Sequence, residues 1–165
     1  EIEKKQIQVI EISGQKTIDI KFIDDLRIKY PKIKFQAVSS KFILNSSHLK
    51  KILSLSINAD KNNILLSNKI ETDILMRFAV TLQISNAISS VGIKPTTNFI
   101  LIAIGNKISF DSLYSELSPL CVNLFLKNNN LFIKKHFNIS KKHLDAVYSK
   151  TPLEDVLVEK ASVLI

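Results

Sequence analysis

A chain of 165 residues with 45% hydrophobic content can close one core, and no shift in its composition marks a second, so a single domain over 1–165 is expected. One cysteine, Cys121, excludes an internal disulfide framework and a multi-cysteine metal site. Three glycines in all, Gly14, Gly92 and Gly105, exclude a phosphate-binding loop or dinucleotide fingerprint, which needs several close together. The net charge of +8 is unevenly placed: 17 of the 23 Lys and Arg, but only 5 of the 15 Asp and Glu, lie from Leu26 to Lys142.

In chain order, Gln6–Ile12 alternates apolar and polar residues and reads as a strand ending at Ser13-Gly14. Thr17 or Asp19 caps a helix with Phe22, Ile23, Leu26 and Tyr30 on its apolar face, closed by Pro31. Lys32–Val38 alternates again, a second strand. Ser39–Ser47 is a polar connection interrupted by Phe42, Ile43 and Leu44. Ser46 or Ser47 then caps a helix carrying Leu49, Ile52, Leu53 and Ile57. Asp60–Asn63 is a turn and Ile64–Leu66 a short extended link.

The most informative stretch runs from Ile70 to Gly105. Ile70, Ile74, Leu75, Phe78 and Leu82 keep to one helical face, with Glu71 and Asp73 in the first turn, where the macrodipole favours carboxylates. Ile84, Ala87, Ile88 and Val91 form a stripe that does not continue the first, so the chain turns within Val80–Gln83. Gly92 suits a left-handed residue past that helix, and Pro95 stops its continuation. Phe99–Ile104 is an unbroken apolar run, right for a central strand covered on both sides.

After Gly105, Ser109 or Asp111 starts a helix with Leu113, Tyr114 and Leu117, ended by Pro119. Cys121–Leu126 reads as a strand in which the thiol is buried and structural. Leu131–Phe137 stays open between strand and irregular structure. Ser140 caps a helix bearing Leu144, Val147 and Tyr148. Thr151-Pro152-Leu153-Glu154 is a capping box whose stripe runs through Val156, Leu157, Ala161 and Leu164. Elements mixed in this order give an α/β sandwich, a mixed sheet of four or five strands, partly antiparallel, covered by helices.

No catalytic constellation emerges. His136 and His143 bracket Lys141 and Lys142, and a metal site there lacks a third ligand and is opposed by the local positive charge. No serine lies in a nucleophile elbow, and Asp24-Asp25 and Glu154-Asp155 are helix neighbours that point apart. No enzyme activity, cofactor or metal is expected, which leaves binding. The basic middle fits a polyanion, because each neutralised phosphate releases counterions, although a lysine-rich solubilising surface is the plainer reading. The basic candidates are Lys41, Lys50, Lys51, Lys69, Arg77, Lys94 and Lys107. Arg77 either pairs with Asp73 one turn away or reaches RNA. Met76, Phe78 and Val80, added to the first helix's stripe, exceed what one face can bury, so that helix either meets a partner or is buried all round.

Glu71-Thr-Asp-Ile-Leu-Met-Arg-Phe-Ala79, Gln83-Ile-Ser-Asn-Ala-Ile-Ser-Ser-Val-Gly-Ile-Lys94 and the Phe99–Gly105 strand together resemble the small kinase-binding subunit family of the KEOPS complex. Phe35-Gln-Ala-Val38, Asn45-Ser-Ser-His-Leu49 and the two short C-terminal helices extend the resemblance from about Ile33 to the end, in the manner of an archaeal-type member. It implies a non-catalytic subunit that binds and regulates the small KEOPS kinase, through Ile74, Leu75, Phe78 and Ile88 or their neighbours. It also implies help in recruiting tRNA by its unpaired CCA acceptor end, so that the catalytic subunit can form threonylcarbamoyladenosine. Val80-Thr-Leu-Gln83 is less polar than the family's turn. The rival reading is a stand-alone basic RNA-binding domain without a kinase partner. The charged N-terminus and the lack of a membrane-length apolar run lead to an expected cytoplasmic location.

Overall fold

The structure, a computed structural model, describes residues 6–14, 18–125 and 127–164. Thr17, one of two expected helix caps, and Leu126, the end of an expected strand, lie outside the described residues. The chain divides into two compact units, Glu1–Ser40 with Gly92–Leu124, and Lys41–Val91 with Phe125–Ile165, and passes between them three times.

The first unit is built on a sheet. Strands β1 (Gln6–Ile12) and β2 (Lys34–Ser39) both pair antiparallel with β3 (Phe99–Gly105), giving the order β1-β3-β2, with Val9 opposite Ile102 and Ala37 opposite Leu101. The uncharged run Phe99–Ile104 takes the centre because only there does every apolar residue find cover, and all six are buried. Phe99, Leu101 and Ala103 share one core with Ile23 and Leu26 of α1 (Ile20–Lys29) and with Phe110, Leu113 and Leu117 of α5 (Lys107–Leu117). Asp19 caps α1 by accepting from the Lys21 N–H at 2.9 Å. The α5 cap is Asn106, which precedes the expected Ser109 or Asp111. A Cβ on Gly14 would stand 2.4 Å from the Thr97 carbonyl carbon, so that position admits no side chain.

The sheet is smaller than expected. Among the described residues it has three strands, all antiparallel, in place of a mixed sheet of four or five. The strand expected at Cys121–Leu126 is absent over its described residues, 121–125. Ser13 and Val122 donate N–H groups across to Leu120 and Glu11, and Ile12 bridges Cys121, but this pairing ends after one bridge. Pro119 lies in a 3-10 turn just before it, and Phe125 adopts a left-handed φ of 60° just after it, leaving no length for a ladder.

The second unit is helical: α2 (Ser46–Lys61), α3 (Ile70–Ala79), α4 (Ile84–Val91), α6 (Asn130–His136), α7 (Lys141–Asp145) and α8 (Pro152–Ser162). Helix α3 packs against α2, α4 and α8. A second cluster of Ile133, Ile139, Leu153, Val156 and Leu157 joins α6 to α8, with Leu44, Phe137, Leu144 and Val147 at its edge. Asn45, one residue before the expected caps, closes α2 by accepting from the His48 N–H at 2.8 Å. Ser140 caps α7 as expected. The capping box at α8 does not form: the Thr151 side chain makes no capping bond, and Glu154 turns to Ser47, Asn45 and Lys51 instead. Leu131–Phe137, open between strand and irregular structure in the sequence, is mostly the helix α6. Gly92 does not take the left-handed conformation expected of it, since no described glycine has a positive φ.

Candidate functional site

The corner between α3 and α4 is fixed from below by an ion pair. Arg77 Nε donates to Asp73 Oδ2 at 2.7 Å and its Nη2 to Oδ1 at 3.3 Å, one helical turn apart. Arg77 Nη1 donates to the Ala161 carbonyl at 2.8 Å, near the C-terminus of α8, where carbonyls lack intrahelical partners. The Leu66 N–H donates to Asp73 Oδ1 at 2.8 Å. One guanidinium and one carboxylate therefore tie the segment before α3, α3 itself and the end of α8. Asp73 is fully buried and Arg77 is 5% exposed. Of the two roles open to Arg77 in the sequence, the helix pair is the one realised, with the side chain almost fully buried.

Ile74, Leu75 and Phe78 are buried too, as are eight of the ten α3 residues. The Phe78 ring meets His48 edge-on at 5.5 Å. His48 Nδ1 accepts the Leu44 N–H at 3.2 Å, and burial pushes the imidazole pKa down to about 4, so it is neutral at physiological pH. Of the four residues expected to meet the kinase, only Ile88 is exposed. The three on α3 are corrected to core positions: that helix is buried on most sides, and its buried polar residues, Asp73 and Arg77, neutralise each other.

Val80 then stops α3 in the left-handed conformation, φ 52° and ψ 51°, with the Thr81 N–H returning to the Met76 carbonyl. A β-branched residue is strained there, by about 1–2 kcal/mol. Beyond the four-residue break, α4 leaves at 67° to α3. It buries Ala87 and Val91 and leaves Ile84 and Ile88 exposed by 46 and 49%, while Leu82, in the break before it, is exposed by 53%. Three large aliphatic side chains within seven residues are thus exposed, Leu82 in the turn and Ile84 and Ile88 one helical turn apart on α4. The sequence put Leu82 on the face of the first helix and Ile84 in one stripe with Ala87, Ile88 and Val91, and of the three only Ile88 was expected at a partner surface; the small Ala87 marks the side of α4 that is buried.

The basic candidates fall in both units. Lys41, Lys50 and Lys69 of the second unit and Lys94 and Lys107 of the first are exposed. Lys51 is partly committed: its Nζ lies 2.7 Å from Glu154 Oε1 and 3.3 Å from Asp155 Oδ1. Glu154 is almost fully buried. Burial alone would raise its pKa, but hydrogen bonds from Lys51, Ser47 and Asn45 outweigh that and hold it below the usual carboxylate range. Cys121 is half-buried, and that burial pushes its thiol pKa up, away from a reactive thiolate. Among the described residues no three His, Cys, Asp or Glu side chains converge as a metal site, and no single helix is long and apolar enough to cross a membrane.

Residues 12–162 match the family described as kinase binding protein CGI-121. No curated protein matches the chain. The match runs from the end of β1 to the last residue of α8, and the chain belongs to that family.

Proposed function

We propose that this member of a kinase-binding family works as a non-catalytic subunit of the KEOPS complex in the cytoplasm. In this reading it docks on the small KEOPS kinase, regulates its ATPase activity, and helps to hold tRNA by the acceptor end while the catalytic subunit forms threonylcarbamoyladenosine. The observation that carries the kinase half is the exposure of Leu82, Ile84 and Ile88. Burying what these half-exposed side chains still show to water is worth about 2–4 kcal/mol in all, enough for the centre of a hot spot. Ile74, Leu75 and Phe78 act one layer below, holding α3 and thereby the angle at which α4 presents Ile84 and Ile88. The αL strain at Val80 fits such a role, since strained residues persist where the surroundings over-determine them.

The tRNA half draws on the exposed lysines, Lys41, Lys50 and Lys69 together with Lys94 and Lys107, with Lys51 contributing less because it is shared with Glu154. One subunit engaging both kinase and tRNA raises the effective concentration of tRNA at a distant active site without any chemistry of its own. Gel filtration of the chain mixed with the small KEOPS kinase, at moderate and high salt, tests this reading. A stoichiometric complex that survives high salt is expected of an apolar contact. Absence of a complex in both conditions, with tRNA still bound, refutes the kinase half and leaves the stand-alone RNA-binding reading.

A further inference from the structure

We propose that the chain associates with a second copy of itself through the open edge of β1, the two strands pairing antiparallel about Gln8 so that the sheet runs on from one copy into the other. The inference stands on the sheet alone and needs neither the kinase half nor the tRNA half of the function.

Backbone direction fixes which groups that edge offers. Along a strand, the N–H and C=O groups of successive residues point to alternate sides. The Glu11 carbonyl accepts the Val122 N–H and the Ser13 N–H reaches the Leu120 carbonyl, so the odd-numbered residues of β1 point their backbone groups away from β3. In the rest of the strand those residues are Ile7 and Val9, and neither makes an outward hydrogen bond among the described residues. The opposite edge of the sheet is closed. There Arg27 Nη2 donates to the Phe35 carbonyl at 3.1 Å and Gln36 Nε2 to the Ala37 carbonyl at 3.0 Å, so side chains already occupy the outward carbonyls of β2. Gln6–Ile10 also lacks any charge or proline, the devices that keep edge strands from pairing.

Three observations select a second copy as the occupant. The first is the length of open edge. Leu120–Val122 already covers the outward side of Glu11 and Ser13, so an incoming strand has only Gln6–Ile10, a window centred on Gln8. Pairing about that centre sets Ile7 opposite Val9 of the second copy, and Val9 opposite its Ile7. Each pair exchanges both N–H and C=O groups, which leaves no outward group of the window unused. The half-buried side chains of Ile7 and Val9 gain an aliphatic cross-strand neighbour at the same time. The second is charge. The window is neutral, so the net charge of +8 brings no like charges together here, and a charged segment of another protein would find no counter-charge in it. The third is Gln8 itself. Its side-chain oxygen is an acceptor that makes no hydrogen bond, and across the two-fold its nearest cross-strand neighbour is the Gln8 amide of the second copy.

Residues at such a non-hydrogen-bonded antiparallel position have Cα atoms about 4.5 Å apart, within disulfide reach. Q8C is therefore made together with C121S, which removes the natural thiol, and the full chain is incubated with glutathione disulfide, which oxidises two thiols to one disulfide and leaves as reduced glutathione. A cross-linked dimer is expected. Q6C with C121S is the control, because in this register the two positions lie about 13 Å apart along the paired strands, and no cross-link is expected. Sedimentation of the wild type at up to about 1 mM is expected to show a monomer–dimer equilibrium. V9P removes an N–H that β3 does not use, so it is expected to weaken association at least about tenfold while the urea midpoint changes little. A wild type that stays monomeric at about 1 mM, with no Q8C cross-link, overturns the proposal. Equal cross-linking of the two cysteine variants, or a dimer indifferent to V9P, moves the association to another surface and overturns it as well. Loss of kinase binding by V9P, with a monomeric wild type, overturns it in favour of a strand supplied by the kinase.

Discussion

Replacing Arg77 by methionine isolates the ion pair under the α3–α4 corner. The substitution keeps most of the side chain's apolar length but removes the donors to Asp73 and to the Ala161 carbonyl. Asp73, with no exposure, is left with the Leu66 N–H as its remaining hydrogen bond donor among the bonds described. Removing one partner of a buried pair costs about 3–5 kcal/mol, because the other charge stays in low dielectric. Against a total stability of about 5–15 kcal/mol for a domain, that is a large share. The double variant D73N/R77M removes both charges while the introduced amide oxygen still accepts the Leu66 N–H, so it is expected to be more stable than the sum of the single variants by about 1–3 kcal/mol. Urea unfolding followed by circular dichroism on the wild type, R77M, D73N and the pair closes the cycle. A cost below about 1 kcal/mol for R77M, or a well-folded R77M that has lost RNA affinity, would refute the structural assignment and return Arg77 to the surface role weighed in the sequence.

Three further outcomes follow from the same geometry. His48 has a folded pKa of about 4 against an ordinary value of 6.5, so between these the unfolded chain binds a proton that the folded one does not. Its contribution is complete above pH 6.5 and falls by about 3 kcal/mol as pH drops to 4; H48N, which keeps an acceptor near the Leu44 N–H, is expected to flatten that part of a stability–pH curve. E154Q, which exchanges a buried carboxylate bonded to Ser47, Asn45 and Lys51 for an amide, is expected to lose about 1–3 kcal/mol at pH 7. Because the Glu154 pKa is held down, that difference should vanish as pH falls through the folded value and the wild-type carboxyl is itself protonated. V80G relieves the left-handed strain and is expected to raise the urea-derived stability by about 0.5–1 kcal/mol, where the same change inside a helix would lower it.

The elements best read from sequence are those whose residues answer to a single demand. Phe99–Ile104 carries no polar residue and had to be a covered strand. The mismatch between the Ile70–Phe78 and Ile84–Val91 stripes put the turn within Val80–Gln83, where it is found. Helix α6 was illegible because Ile133 is the one buried residue in it, so no periodicity announces it, and exposed Leu131 and Phe132 imitate a core. The Cys121 strand failed for the opposite reason: its apolar run is real, but a turn at Phe125 cuts it off after one bridge. The candidate site was half legible. An apolar stripe says that a helix packs, not on which side. On α3 the packing covers most sides, and on α4 the buried edge belongs to Ala87 and Val91, leaving Ile84 and Ile88 outside. Burial of that kind is settled by neighbours far away in sequence, which no local pattern records.

The proposed kinase contact lies on the exposed face of α4. Calorimetric titration of the small KEOPS kinase with the wild-type chain and with I88D tests it most directly, since Ile88 is about half exposed and its substitution leaves the core untouched. Loss of at least about tenfold in affinity, with an unchanged urea midpoint and little dependence on salt, is the expected result. Equal affinity for the two proteins would contradict the account and send the search for the kinase surface elsewhere on the chain.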